Sequence, residues 1–385
     1  MRLTQLYNEF FKSEKTGGVI LVIVTLFSIL MANSMWQESY LSFWNMDIGG
    51  HTLVHWINDG LMTLFFLLIG LELEREIYEG ELSNIKNAVL PLFAALGGMM
   101  FPAAIYFALN SDSIAKDGTG IPTATDIAFA IGILSLLGSR VPASFKIFLT
   151  ALAVIDDLGA IIIIAIFYSS SIAWINLATA LAVFTALILL NRLKYCNLTP
   201  YLIGGVVMWY FMLNSGVHPT ITGVLLAFAI PFGKSKETSP SYKIQHFLHK
   251  PVAFFILPLF AIANTGIVIN QNWQADLFQV GSLGIIAGLV IGKPLGIIIM
   301  SYIGVKLKLA KLPSDMQWSN ILGVGFLAGI GFTMSIFITL LAFDDVALVN
   351  SSKISILFGS FISAVLGILF LNKVLKTKAI ENEED

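Results

Sequence analysis

Apolar runs of about 20 residues, the length an α-helix needs to cross the hydrocarbon of a bilayer, recur along this whole chain. They fall at roughly 17–35, 57–78, 88–109, 121–138, 147–168, 172–190, 200–214, 219–232, 251–269, 282–304, 320–343 and 354–371, which predicts about twelve spans. Arg2 and Lys12 ahead of the first run are also a signal-peptide pattern, but Glu9 and Glu14 in that flank and the length of the run favour a retained helix. One short segment breaks the pattern. At 43–56, Gly49-Gly50 stands between two β-prone runs, the mark of a hairpin. Such a hairpin is marginal alone and leaves open edges, so it is expected to pair with a second copy in a homodimer.

Basic residues test the number of spans. With an even number and both termini in the cytoplasm, all but Lys116, Lys293 and Lys353 of the 22 Lys and Arg residues fall on the inner side, Lys234, Lys236, Lys306 and Lys376 among them. That is the positive-inside bias, and a missed span would scramble it.

Composition agrees. Of the 385 residues, 57% are hydrophobic and 12% charged, with a mean hydropathy of +0.84; a soluble domain carries about 25% charged residues. Most of the surface therefore faces lipid. The single cysteine, Cys196, excludes an internal disulfide; the net charge of −2 decides nothing, and no basic stripe or nucleic-acid motif appears.

Against this background four ionisable residues lie deep within spans: Asp126, Asp156, Asp157 and Lys293. At about 1.5 Å rise per residue, Asp126, Asp156 and Lys293 each sit roughly 13–18 Å from the inner face, near the midplane. A buried Asp–Lys pair that merely fastens helices is the plainer reading. Three carboxylates against one lysine, however, leave surplus negative charge, which must bind a proton or a cation. Neighbouring residues on a helix point about 100° apart, so one of Asp156 and Asp157 can meet the lysine while the other meets a cation. Carboxylate and carbonyl oxygen suit hard ions such as Na+ and Li+, and no thiolate or histidine cluster recruits a soft metal.

The spans around these charges are interrupted. Gly120, Pro122, Thr123 and Thr125 precede Asp126 in the fourth run, and Gly323, Gly325, Gly329, Gly331 and Thr333 punctuate the eleventh. Glycine packing between helices accounts for part of this; broken helices that expose backbone carbonyls and helix ends account for all of it. Each run is the middle of three, spans 3–5 and 10–12, and the two triplets start on opposite sides, the parity of an inverted repeat. An all-α polytopic membrane fold is expected, with two interrupted helices crossing at mid-membrane.

Five runs carry a family resemblance: Thr123-Ala124-Thr125-Asp126-Ile127-Ala128-Phe129-Ala130, Ala153-Val154-Ile155-Asp156-Asp157-Leu158-Gly159-Ala160, Ser215-Gly216-Val217-His218, Ile291-Gly292-Lys293-Pro294-Leu295-Gly296 and Gly329-Ile330-Gly331-Phe332-Thr333-Met334-Ser335-Ile336-Phe337. In these, and over essentially its whole length, the chain resembles the NhaA-type bacterial sodium/proton antiporters. The resemblance implies an electrogenic, pH-activated exchanger of Na+ or Li+ for protons in the bacterial inner membrane, working by alternating access without a cofactor. Asp157 would be the principal cation ligand, assisted by Asp156, Asp126 and Thr125, and Lys293 would pair with Asp156 and neutralise half-helix ends. Core helices would span about 88–168 and 282–371 and interface helices about 17–78 and 172–269, within one domain over 1–385. Glu72, Arg75, Glu76, His246 and His249 match the pH-response region, although solvated surface charge is the plainer account of them; Gln245 stands where the family pattern has glutamate. His218 is expected near the outer end of the eighth span, as a capping or packing residue rather than a sensor.

Three rivals fit less well. An intramembrane aspartyl protease needs two carboxylates sharing a proton, and Lys293 and Asp157 would disturb that sharing. No Gly-x-Gly-Asp run precedes Asp126 or Asp156 either. A channel does not call for inverted broken helices. A carrier of organic solutes would show aromatic or arginine anchors at the site.

Overall fold

The computed structural model describes residues 2–169, 171–233, 239–269 and 273–384, the side chains of 2–15, 139 and 376–384 excepted. Lys234 and Lys236 of the expected inner face therefore lie outside the described residues, as do the side chains of Arg2, Glu9, Lys12, Glu14, Lys376 and Lys378.

Every predicted apolar run forms helix, but not always one long helix. After α1 (Arg2–Ala32) the chain turns by 119° into α2 (Gln37–Trp44). The predicted hairpin comes next, shorter than the 43–56 segment: β1 (Asp47–Ile48) pairs antiparallel with β2 (His51–Thr52). Phe43 and Trp44, read as β-prone, are helical. Gly49 and Gly50 take φ of +68° and +89°, the left-handed pair that a tight two-residue hairpin turn demands and that glycine meets without steric cost. Then come α3 (Leu53–Tyr78), α4 (Ile85–Asn110) and a 3-10 segment, Lys116–Thr123. These lead to α5 (Ile127–Ser135), α6 (Ala143–Phe167), α7 (Trp174–Arg192), α8 (Thr199–Leu213), α9 (Ile221–Ala229) and α10 (Pro240–Asn264). The short α11 (Trp273–Leu277) precedes α12 (Val280–Lys306), α13 (Trp318–Ala328), α14 (Phe332–Ala342) and α15 (Val346–Glu384).

Among the described residues seven helices are long and apolar enough to cross a membrane, or nine if each of two bent pairs is one span. The fourth, seventh and eighth predicted spans fall below that length. α5 and α9 have nine residues each and α8 has fifteen. The protein is a multi-pass membrane protein.

The order helix, broken segment, helix occurs twice. It runs α4, then Lys116–Thr123 with α5, then α6; and again α12, then α13 with α14, then α15. The second break bends by 50°. α4 and α12 cross at two facing glycines. A Cβ on Gly97 would lie 2.0 Å from the Gly296 carbonyl oxygen, and one on Gly296 would lie 2.1 Å from that of Gly97. Only hydrogen fits there, so the two backbones meet directly, as small-residue packing in membranes allows. A π-helical turn, Gly288–Gly292, immediately precedes Lys293 on α12. Such a turn shifts the facing of the residues C-terminal to it, and here the next residue is a lysine turned fully into the interior.

Candidate functional site

The two breaks touch each other. Past Thr123 the backbone is extended at Ala124 and again at Asp126, which becomes the N-cap of α5, its Oδ1 accepting from Phe129 N at 3.0 Å. The Asp126 N–H donates to the Ile330 carbonyl, in the Gly329–Gly331 gap, at 2.7 Å. Its Oδ2 accepts from Thr333 N at 3.1 Å and from the Thr333 hydroxyl. One carboxylate thus meets the N-terminal ends of both α5 and α14, where helix dipoles place partial positive charge. Ser335 Oγ adds a bond to the Ile121 carbonyl at 2.7 Å.

Lysine serves the opposite end. Lys293 Nζ donates to the Thr123 carbonyl at 2.6 Å, at the C-terminal end of the 3-10 segment, and lies 3.0 Å from Asp156 Oδ2. Thr125 Oγ1 lies 2.8 Å from the same oxygen and 2.9 Å from the Ala328 carbonyl, so it ties α6 to both breaks. Asp156 and Lys293 are both fully buried. The sequence expectation for Asp126, Thr125, Asp156, Asp157 and Lys293 placed them together, and the structure gathers all five around one crossing.

Asp157 is 2% exposed, and its Oδ1, like Asp156 Oδ1, has no hydrogen-bond partner among the described residues. It differs from Asp156 in that no cation among the described residues lies against its carboxylate as Lys293 lies against Asp156. Asp156, Asp126, Lys293 and Glu72 are its charged neighbours within electrostatic reach. A buried carboxylate oxygen left bare is costly unless a proton or a cation meets it. No group of three His, Cys, Asp or Glu side chains among the described residues is arranged to hold a metal ion. Holding a cation here therefore needs hydroxyl and carbonyl oxygen beside Asp157, or a movement of the breaks.

The remaining candidates spread over the end of α3 and α10. Arg75 and Glu76 pair at 3.3 Å, and Glu76 Oε2 accepts from Glu81 N at 3.1 Å. His246 is exposed and stacks on Tyr242, while His249 and Glu72 are partly buried. His218 sits elsewhere, with Nδ1 2.7 Å from Thr220 Oγ1 and its ring edge-on to Phe337. Two buried acids escaped the sequence reading. Glu74 is 4% exposed and accepts from Ser241 Oγ at 3.1 Å. Asp59 is 9% exposed and faces His55 and His218. Both lie inside an apolar run, and the rule that flagged Asp126 would have found them.

Ionisable groups at the crossing of two interrupted helices, inside a multi-span apolar fold, define an ion-coupled secondary transporter. The family model described as Na+/H+ antiporter 1 matches residues 8–371, and the chain belongs to that family. It is 63% identical over 377 residues to the Na(+)/H(+) antiporter NhaA 1 of Flavobacterium johnsoniae, covering 98% of this chain and 99% of that one. It is 58% identical over 383 residues to the Na(+)/H(+) antiporter NhaA of Cytophaga hutchinsonii, covering 100% and 99%. Among solved structures, the sodium proton antiporter MjNhaP1 from Methanocaldococcus jannaschii shares the fold, with a TM-score of 0.54, 16% identity, and coverage of 97% of this chain and 100% of that one.

Proposed function

We propose that this protein exchanges Na+ or Li+ for protons across the bacterial inner membrane by alternating access, electrogenically and with activation at alkaline pH. The observation that carries this reading is the buried carboxylate of Asp157, bare at Oδ1 and with no cation against it, beside an Asp156 carboxylate that has a lysine 3.0 Å away. Asp157 is the cation and proton site, and Asp156 with Lys293 supplies the further change of protonation that an electrogenic exchange needs. Asp126 and Thr125 hold the breaks around it. Twelve spans, of which 3–5 and 10–12 are two inverted triplets, put both termini in the cytoplasm, with core helices over about 88–168 and 282–371 and the rest at the interface. Glu72, Arg75, Glu76, His246 and His249 set the pH response, and the 47–52 hairpin joins two copies.

The test uses everted vesicles that hold a pH gradient reported by a quenched amine dye. Adding Na+ or Li+ should dequench the wild type and leave Asp157→Asn quenched. Equal dequenching by both would remove Asp157 from the site. No dequenching by the wild type at any alkaline pH would remove antiport itself.

A further inference from the structure

Away from the Asp157 site, a file of titratable side chains runs inward from the hairpin. His51, exposed on β2, stacks on His55 with ring centroids 4.2 Å apart and 13° between planes. His55 Nε2 lies 3.4 Å from Asp59 Oδ2, with the side chains 33% and 12% exposed. Asp59 Oδ1 in turn lies 3.5 Å from His218 Nε2, whose side chain is also 12% exposed. Exposure therefore falls along the file. Thr220 occupies the Nδ1 side of the His218 ring, leaving Nε2 as the nitrogen that faces Asp59.

The surroundings fix this file in place. Residues Trp56–Leu61 form a π-helical turn of α3, and the Asp59 carbonyl oxygen accepts from Trp209 Nε1 at 3.0 Å. The elements packed around it contribute neutral groups, Trp209 from α8, Asn264 from α10 (bonded to Asn58) and Thr220 before α9. Inward of His218 stands an aromatic barrier. Phe337 meets the His218 ring edge-on at 5.4 Å and packs on Phe66 and Phe260, all three phenylalanines being at most 1% exposed. Phe337 lies one helical turn, about 6 Å, beyond Thr333, whose hydroxyl donates to Asp126.

We infer that His55, Asp59 and His218 form a proton-loading relay on the outer side of the protein, closed from the Asp157 site by the Phe337 barrier. This rests on the antiport reading and its topology, in which protons enter from the hairpin side. The step moves protons alone. With Asp59 protonated on Oδ1, His218 Nε2 takes that proton as Oδ2 receives one from the imidazolium of His55. His55 is left neutral, to be recharged through solvent at the exposed His51; the Asp59 carboxyl is left protonated on Oδ2 and is reset by rotation of the carboxyl group. His218 holds its proton as an imidazolium until Phe337 moves and a carboxylate at the Asp157 site takes it. Neither contact is a hydrogen bond as it stands, His55 Nε2 having no hydrogen-bond partner among the described residues, so the transfer needs each ring to turn and close by roughly half an ångström to reach the charge-assisted range.

Purified protein in liposomes separates this from a structural role. Two rates are compared: Na+-driven proton flux, read by a trapped pH dye, and exchange of radioactive Na+ at equal Na+ and equal pH on both sides, which moves no net proton. Asp59→Asn and His55→Gln should each slow the proton flux about tenfold, a modest loss for a proton-transfer group, and leave Na+/Na+ exchange within about twofold of wild type. Asp59→Glu, which keeps the carboxyl, should recover most of the flux. If both rates fell together, or if neither fell, the relay would be wrong. Because His55 is the more exposed end, His55→Gln carries the test should Asp59→Asn fail to fold. Absence of Na+-driven proton flux in the wild type would overturn antiport itself, and would be seen before any variant is compared.

Discussion

Removing the lysine at the crossing gives the sharpest test of how the core is held. Lys293 is fully buried, 3.0 Å from Asp156 and bonded at 2.6 Å to the Thr123 carbonyl. Lys293→Ala leaves Asp156 and that carbonyl without their cation in a region that admits little water. Breaking a buried pair from one side costs about 3–5 kcal/mol, because the abandoned charge keeps its desolvation penalty. Replacing both partners removes that penalty, so Lys293→Ala/Asp156→Asn should regain most of the loss. What remains is the bare Thr123 carbonyl, at about 1–3 kcal/mol. The assay is thermal unfolding in detergent for the four members of the double-mutant cycle at one pH, with the pair energy taken from the non-additivity. If the double variant were as unstable as the sum of the two single losses, the ion pair would not be the source of stability. Lys293 would then act through the Thr123 carbonyl alone.

Packing and capping supply two more outcomes. Gly296→Val sets a branched side chain where even a Cβ would lie 2.1 Å from the Gly97 carbonyl oxygen; the backbone of α4 cannot yield, so the loss should exceed the roughly 1–3 kcal/mol of ordinary overpacking. Collapse of the monodisperse peak in size-exclusion chromatography would register it, and an unchanged peak with wild-type thermal stability would contradict the crossing. Asp126→Asn keeps the α5 cap but turns an amide N–H toward the Thr333 N–H, costing about 1–3 kcal/mol, and Asp126→Ala should cost about 1 kcal/mol more by losing the cap as well. Thermal unfolding again decides: unchanged stability in both variants would show that Asp126 does not bind the two helix ends together.

The sequence made the centre of the site legible because charge in an apolar run has few explanations. Asp126, Asp156, Asp157 and Lys293 stood out for that reason, and the Gly, Pro and Thr residues around 120–126 and 329–333 marked where the helices stop. What it withheld is pairing. Nothing local to Asp126 says that its second oxygen is taken by Thr333, 207 residues away. Nor does Asp59 announce His218, since the two meet only when α3 and the start of α9 pack together. Apolar length identified the segments that lie in lipid but not how far each helix persists. The fourth run is broken at Ala124–Asp126, and the turn between α8 and α9 runs through Gly216 at φ +83°. The hairpin was legible at its turn and not at its ends, because Phe43 and Trp44 pack as the last residues of α2 rather than extending β1.

The charges at the crossing cancel in a way that isolates one group. Asp126 faces two helix N-termini, each equivalent to about half a positive charge, and its oxygens already accept from Phe129 N and from Thr333. Lys293 is matched by Asp156 and by the carbonyl end of the 3-10 segment. Asp157 remains, a buried carboxylate with no cation against it and a bare Oδ1, and on the proposed reading it takes one cation or one proton. An exchange carrying more protons than cations needs a second group that changes protonation in step with the first. Asp156 and Lys293 are the partnered groups within electrostatic reach of Asp157, whereas the Asp126 carboxylate is anchored to both breaks. Moving a proton within the Asp156–Lys293 pair would weaken the link that joins α6 and α12 to the first break. On the proposed reading, chemistry at Asp157 and movement of the interrupted helices are thereby tied to the same few atoms.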